Sequence, residues 1–265
     1  MRGGHTDAVV PALLVAFCLC AELALPQTPP ASQSGSERAV LSDSSTKLHF
    51  DVFLKGLAAY QSGDYDSAYS SFYIAATMGV AGAQSSLGRL YTEGKGVKHD
   101  PVEAAKWYRR AADQGLDSAQ HWLGAAYHTG VGVPQNHREA VKWFRLAALQ
   151  DYPPAQLLLG VCYDNGHGVQ KDVTEVVKWY RLAAEQGSPG GQLFLALKYA
   201  VGEGVPKDYI QAHMWANLAT AAGVPDGEKT RDLLARSMTP AQLEEAQRRA
   251  AEWRPRGKAG PEPPR

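Results

Sequence analysis

The feature that most constrains this chain is an internal repeat with a period of 36 residues. A single Trp, a single Tyr and two Gly recur at this spacing through four consecutive units: Trp107, Trp143, Trp179, Trp215; Tyr91, Tyr127, Tyr163, Tyr199; Gly94, Gly130, Gly166, Gly202; Gly96, Gly132, Gly168, Gly204. A fixed period of about 20–50 residues is typical of repeat architectures. One such unit cannot bury its apolar surface alone, so the sequence predicts that successive units stack.

Each unit has the pattern of two short amphipathic helices. In the first unit the stretch AQSSLGRLYTEG places apolar residues at three- and four-residue steps, which predicts a helix with one apolar face. The two glycines of the following GxGV element can adopt left-handed conformations that end a helix and reverse the chain. Asp100 and Pro101 then have the chemistry of a helix start, so a second helix is predicted from there to Gly115.

A glycine also lies inside the first helix of three units, at Gly88, Gly124 and Gly160. Glycine inside a helix costs about 1 kcal/mol relative to alanine. Such a cost needs a packing reason, and we predict that a neighbouring helix approaches closely at these positions.

The motif AxxxLGxxYxxGxGVxxDxxxAxxWYRxAAxxG, most complete in the first unit, resembles the Sel-one-like repeat, a relative of the tetratricopeptide repeat. The resemblance covers roughly residues 83–227. It implies an all-α fold, a right-handed α/α superhelical solenoid of helix pairs. Four positions depart from the pattern: Asp151, Val176, Gly191 and Ala196.

The repeats fix the predicted organisation of the chain. Residues upstream of them read as a helix pair without the GxGV loop, similar to a plain tetratricopeptide unit, and Thr239 downstream begins a capping-box pattern. The predicted segments are a signal peptide (1–25), a flexible linker (26–46), an N-terminal capping unit (47–82), four repeats (83–118, 119–154, 155–190, 191–227), C-terminal capping helices (228–254) and a disordered tail (255–265).

The N-terminal segment predicts export. An apolar run over residues 8–21 is shorter than the about 20 residues needed to span a bilayer and follows a short polar segment, as in a signal peptide. An uncleaved anchor is the alternative. After cleavage no membrane insertion is expected, and the predicted location is the periplasm or the exterior. The C-terminal segment resembles that of bacterial Sel-one-like proteins, which favours a bacterial envelope.

The composition gives no sign of a nucleic-acid partner, because 27 basic residues balance 27 acidic ones.

The sequence also lacks the patterns that are typical of catalytic and cofactor-binding sites. The GxG glycines close a helix instead of following a strand, and His121 and His128 are seven residues apart on one predicted helix, too far to share a metal ion. The sequence therefore predicts no enzyme, no cofactor and no metal. Cys162 is interpreted as a small buried apolar residue.

The resemblance also suggests where a partner would bind. In tetratricopeptide proteins the first helix of each pair lines the concave face, and the ligand contacts lie between the packing positions. Carried over to this chain, the candidates are Ser85, Arg89, Thr92, Glu93, His121, His128, Leu157, Asp164, Asn165 and Leu197. They are mostly polar in the first two repeats and more apolar in the last two, so a peptide of matching character is the expected ligand.

The functional hypothesis is a non-catalytic scaffold or adaptor of the cell envelope that binds a protein or peptide partner on this face. A narrower form, implied by the resemblance, is regulation of signalling or of exopolysaccharide production. The alternative is a hydrolase of the weak β-lactamase type linked to a cysteine-rich branch of the family. That branch has a cysteine pair in each repeat, which this chain lacks.

Overall fold

The computed structural model describes residues 44–257. The predicted signal peptide, most of the linker and most of the C-terminal tail lie outside the described residues. Within them the chain forms twelve helices and no strand: α1 Ser44–Ser62, α2 Tyr65–Thr77, α3 Ala81–Glu93, α4 Pro101–Asp113, α5 Asp117–Thr129, α6 His137–Ala148, α7 Pro153–Asn165, α8 Val173–Glu185, α9 Pro189–Val201, α10 Tyr209–Ala221, α11 Pro225–Ala235 and α12 Pro240–Glu252. The predicted all-α class of paired helices is confirmed.

The chain divides into two compact units, which are described separately. The N-terminal unit contains α1–α6 and ends at Tyr152, and the C-terminal unit contains α7–α12 and begins at Pro153. In each unit helices pack against their neighbours in the chain, and α12 packs on α10. In the range that the structure describes, no helix combines the length and apolar character needed to cross a membrane.

The helix boundaries follow the local signals in the sequence. Each second helix of the four repeats begins after a side chain that accepts two backbone N–H groups, namely Asp100, Asn136, Asp172 and Asp208. These acceptors satisfy donors that the first turn leaves without intrahelical partners. The predicted capping box is present as well, since Thr239 and Gln242 exchange hydrogen bonds at the start of α12.

The glycines inside the first helices lie against aromatic rings of the second helix of the same pair. A Cβ at any of these positions would clash with the ring, at distances that real Cβ atoms essentially never show. The pairs, with the shortest distance from such a Cβ to the ring, are Gly56 with Phe72 (2.6 Å), Gly88 with Tyr108 (2.9 Å), Gly124 with Phe144 (2.7 Å) and Gly160 with Tyr180 (2.6 Å). The predicted close approach is confirmed, and its cause is a ring lying on the helix backbone.

The fourth repeat departs from this pattern at both positions together. Ala196 replaces the glycine, and Ala216 stands where the other repeats place the ring. Both alanines are fully buried. Because no ring has to be accommodated there, the methyl group of Ala196 is tolerated.

Two further departures from the repeat pattern have local explanations. A Cβ at Gly191 would lie 2.8 Å from the Cβ of Ala183, so the glycine lets α9 approach α8. Asp151 takes the place of a chain-reversing glycine and has φ 58°, the only positive φ of a non-glycine residue in the described part of the chain. Aspartate is among the few residues that adopt this conformation.

The pairing of glycine and ring can be tested with a double-mutant cycle at Gly124 and Phe144. Gly124→Ala is expected to lower the free energy of unfolding by about 1–3 kcal/mol, because its methyl group meets the ring. Phe144→Ala is expected to lower it by about 3–5 kcal/mol. Since the second change removes the ring, the double variant should be no less stable than Phe144→Ala alone.

Urea unfolding followed by circular dichroism measures these differences. Ala196→Gly is the control at the position whose partner is Ala216, and it is expected to lower the free energy of unfolding by about 1 kcal/mol for helix propensity and about 0.8 kcal/mol for the buried methyl group. If the losses in the free energy of unfolding of Gly124→Ala and Phe144→Ala simply added up in the double variant, the proposed contact between glycine and ring would be contradicted.

Candidate partner-binding surface

The C-terminal halves of three first helices carry accessible side chains, and we call these residues the first-helix surface. In the N-terminal unit Thr92 and Glu93 are exposed at the end of α3. In the C-terminal unit Asp164 and Asn165 are partly exposed at the end of α7, and Val201 at the end of α9 is 67% exposed. The other sides of the same helices are packed in the core.

In the N-terminal unit the surface is organised by the Tyr60 cluster, which consists of Tyr60, Arg89, Glu93 and Lys95. The Tyr60 hydroxyl donates a hydrogen bond to Glu93 Oε2 at 2.7 Å, and Lys95 Nζ lies 3.0 Å from the same oxygen. The guanidinium of Arg89 lies over the Tyr60 ring, 4.1 Å from its centroid, and its Nε is 3.8 Å from Glu93 Oε1. Two cations therefore face one carboxylate, so the cluster has a net positive charge.

The pKa values of the cluster reflect these contacts. The hydrogen bond with Glu93 is the main cause that raises the pKa of Lys95. Burial, followed by the hydrogen bond to Glu93, raises the pKa of Tyr60. Lys95 thus stays charged and Tyr60 stays a hydrogen-bond donor at neutral pH, which fixes the orientation of the Glu93 carboxylate.

In the C-terminal unit the surface contains the Lys198 cluster, which consists of Asp164, Tyr180, Lys198 and Glu203. Lys198 Nζ lies 2.8 Å from Asp164 Oδ1 and 2.9 Å from Glu203 Oε2. The Tyr180 hydroxyl donates to Asp164 Oδ2 at 3.3 Å. Lys198 is only 8% exposed, whereas the side chain of Glu203 is 53% exposed. Two carboxylates face one ammonium, so this cluster has a net negative charge.

Sequence reasoning identified Asp164 but missed Lys198 and Glu203. A signal was present, because Lys198 occupies the repeat position that holds apolar Leu90, Ala126 and Cys162 in the other units. A lysine at a core position requires anionic partners when it is buried. The repeat alignment could therefore have predicted carboxylates nearby.

Three of the predicted contact residues, His121, His128 and Leu157, are buried. Leu157 is 1% exposed and belongs to the apolar core of the C-terminal unit. His121 is packed in the N-terminal unit, with its ring centroid 5.4 Å from that of Tyr152 and 6.0 Å from that of Phe144. These three side chains lie beneath the surface, where they contribute to the packing of the core. Ser85 and Leu197 are partly exposed.

Burial makes His121 sensitive to acid. It lowers the pKa of His121 from the ordinary 6.5 to about 4, and the Nδ1 atom makes no hydrogen bond with the described residues. The folded chain therefore holds this imidazole neutral at pH values where the unfolded chain protonates it.

We predict that His121 makes the N-terminal unit less stable as the pH falls from 6.5 to about 4. The unfolded state binds more protons in this window, so stability decreases with decreasing pH, by about 3 kcal/mol in total at about 1.4 kcal/mol per pH unit. His121→Leu, which introduces the residue found at Leu157 and Leu193, should flatten this dependence. Urea unfolding at pH 7 and pH 4.5 measures it, and an unchanged difference between the two pH values would contradict the prediction.

Cys162 is fully buried, as expected from the sequence, and burial raises the pKa of its thiol to about 12. A thiol in this state is not a nucleophile at neutral pH. Cys162 therefore acts as a core residue of the C-terminal unit.

Comparison with known proteins identifies the repeat. The Sel1 repeat family model matches residues 81–116, 117–152, 153–188 and 189–224, which together are more than half of the chain. The chain belongs to the Sel1 repeat family. Each match begins two residues before the predicted start of the corresponding unit, at the first residue of helix α3, α5, α7 or α9. Sel1 repeats generally mediate protein interactions, and the family is generally non-enzymatic.

Solved structures of the family are similar to this chain. A protective antigen of uropathogenic Escherichia coli strains, which displays an SLR fold, is 32% identical with a TM-score of 0.68, over 78% of this chain and 46% of the antigen. A Sel1 repeat protein from Oxalobacter formigenes is 34% identical with a TM-score of 0.66, over 74% of this chain and 84% of that protein.

A curated relative is similar over a shorter stretch. An exopolysaccharide production negative regulator from Rhizobium leguminosarum bv. viciae is 36% identical over 63 residues, which is 24% of each protein. The chain therefore spans about a quarter of that regulator and less than half of the E. coli antigen.

Proposed function

We propose that this protein is a non-catalytic adaptor that binds a partner protein or peptide through its first-helix surface. The observation that carries the proposal is the accessibility of the C-terminal halves of α3, α7 and α9 beside two charged clusters of opposite sign. Clefts and surfaces of repeat proteins bind extended ligands through side chains of this kind. Membership of a family that generally mediates protein interactions supports the proposal.

The character of the surface suggests the ligand. The Tyr60 cluster offers a net positive charge and the Lys198 cluster a net negative charge, and Val201 and Leu233 add exposed apolar surface in the C-terminal unit, at 67% and 66% exposure. An acidic segment of a ligand would complement the Tyr60 cluster of the N-terminal unit, and a basic segment next to apolar side chains would complement the Lys198 cluster of the C-terminal unit.

The proposed place of action is the bacterial cell envelope, with residues 1–25 as a cleaved signal peptide. The proposed process is the restraint of signalling or of exopolysaccharide production. Support for the latter comes from the similarity to the R. leguminosarum regulator over 63 residues. Deleting the gene should change polysaccharide output, and unchanged output would remove this narrower role while leaving the adaptor proposal standing.

The adaptor proposal is tested by capturing partners with the tagged chain from the envelope fraction after mild cross-linking. Thr92→Arg in the N-terminal unit and Val201→Glu in the C-terminal unit change exposed residues of the first-helix surface. Each should reduce capture at least severalfold, because each places a charge and a longer side chain in the contact area.

The chain offers a matched control for each variant. Thr174→Arg and Val173→Glu make the same two changes on the exposed start of a second helix, α8. Capture should be retained by these two controls. If the controls lose the partner and the first-helix variants keep it, the proposed surface is wrong.

A further inference from the structure

The N-terminal unit contains a cavity that lies apart from the first-helix surface. Its volume is about 540 Å³, and it lies between helix α4 and the C-terminal end of α5 with its GxGV loop. Its lining residues are Val102, Ala105, Lys106, Arg109, Arg110, Asp113, Tyr127, Gly132 and Val133. Ligand sites in proteins have volumes of about 300–1,000 Å³, so this cavity has room for side chains of a ligand.

The residues that line the cavity are partly apolar and partly cationic. Val102 and Val133 supply accessible apolar surface, and Val102 is 51% exposed, whereas Ala105 beside them is buried. The lining includes three cationic side chains and a single acidic one, Asp113. Since Lys106 Nζ lies 3.4 Å from Glu103 Oε1, the positive charge of the lining comes mainly from Arg109 and Arg110. Such a lining complements a ligand that has carboxylates next to an apolar group.

The two arginines are held in place by aromatic rings. The guanidinium of Arg110 lies 4.2 Å from the Trp107 ring centroid. Arg109 lies 5.5 Å from the centroid of the Trp143 ring and donates a hydrogen bond to the Tyr127 hydroxyl. Stacking fixes a guanidinium without neutralising its charge, and neither arginine forms an ion pair within the described residues. The N–H groups in the plane of the Arg110 guanidinium therefore remain available to donate hydrogen bonds to a carboxylate.

This combination is specific to the first repeat. Ala105 is replaced by larger side chains at the equivalent positions of the other repeats, and Arg110 is replaced by leucine in all three: Val141, Val177 and His213; Leu146, Leu182 and Leu218. By contrast, the hydrogen bond between Arg109 and Tyr127 recurs between Arg181 and Tyr199 at 2.9 Å. The repeated pair is structural, whereas the small residue and the extra arginine occur together only in the first repeat.

We propose that this cavity is a second docking site, which takes an acidic segment of a partner protein. An apolar side chain of the segment would pack against Val102 and Val133, and a flanking carboxylate would bind Arg110, with Lys106 nearby. The site is formed mainly by the second helix α4 and contains no residue of the first-helix surface, so it extends the protein's binding capacity beyond that surface.

The proposal is tested with three peptides of equal length that carry a neutral fluorophore: Glu-Leu-Glu-Glu-Leu, Gln-Leu-Gln-Gln-Leu and Lys-Leu-Lys-Lys-Leu. Fluorescence polarisation with the purified full chain at low salt should show binding of the acidic peptide above the other two. Arg110→Leu, which copies the chain's own other repeats, should weaken it roughly tenfold. Arg236→Leu, at an exposed arginine of the C-terminal unit, should leave it unchanged.

A measurement on the unmodified chain tests the location independently of the variants. In nitrogen-15 spectra, the indole N–H signals of Trp107 and Trp143 should shift as the acidic peptide is added, while those of Trp179 and Trp215 stay in place. The proposal is overturned by undetectable binding of the acidic peptide at millimolar concentration. Equal binding of the basic peptide, or unchanged affinity in Arg110→Leu, would overturn it as well.

Discussion

The contact between an aromatic ring and the backbone of a glycine is the interaction on which the helix pairs depend. In the capping pair and in the first three repeats, a ring from the second helix lies where the first helix would carry a Cβ, within 2.6–2.9 Å of that position. The helix propensity lost at each glycine is about 1 kcal/mol, while burial of a large ring contributes about 1.5–3 kcal/mol. The contact therefore outweighs the local cost, and it fixes how closely and at which residue the two helices meet.

The same constraint orients the residues available for binding. In α3 and α7 one side of the helix is committed to the ring, and the accessible residues Thr92 and Asp164 lie at the C-terminal end of these helices. The hydroxyl of Tyr108 lies 3.3 Å from Thr92 Oγ1, and that of Tyr180 donates to Asp164. The packing rings thus reach the first-helix surface with their polar ends and connect the core to the site.

Much of the fold could be predicted from the sequence, because its determinants are local and repeated. A single residue is enough to indicate where a helix ends or begins, as Gly94 does at the end of α3 and Asp100 at the start of α4. The glycines inside the first helices indicated that another helix approaches closely. The joint change to Ala196 and Ala216 was also readable as a compensated pair once the partner position was known. The repeat spacing does not show that the residue 20 positions further along the chain is the one that packs on the glycine, because this contact is part of the tertiary structure.

The candidate site was less predictable. The transferred tetratricopeptide positions included His121 and Leu157, which are the fifth residues of α5 and α7 and are packed in the core of this chain. Lys198 was missed, since its role depends on Asp164 and Glu203 being brought to its ammonium by different parts of the C-terminal unit. The cavity beside Arg110 was missed for the same reason, as its walls come from two helices and a loop.

The most direct test of the adaptor account is site-specific photo-cross-linking in living cells. A photoreactive amino acid would be placed singly at Thr92, Asn165 and Thr174, of which the first two belong to the first-helix surface and the third lies on an exposed second helix. The account predicts one adduct of the same partner mass from Thr92 or Asn165 and none from Thr174. An adduct from Thr174, with none from the other two positions, would contradict it.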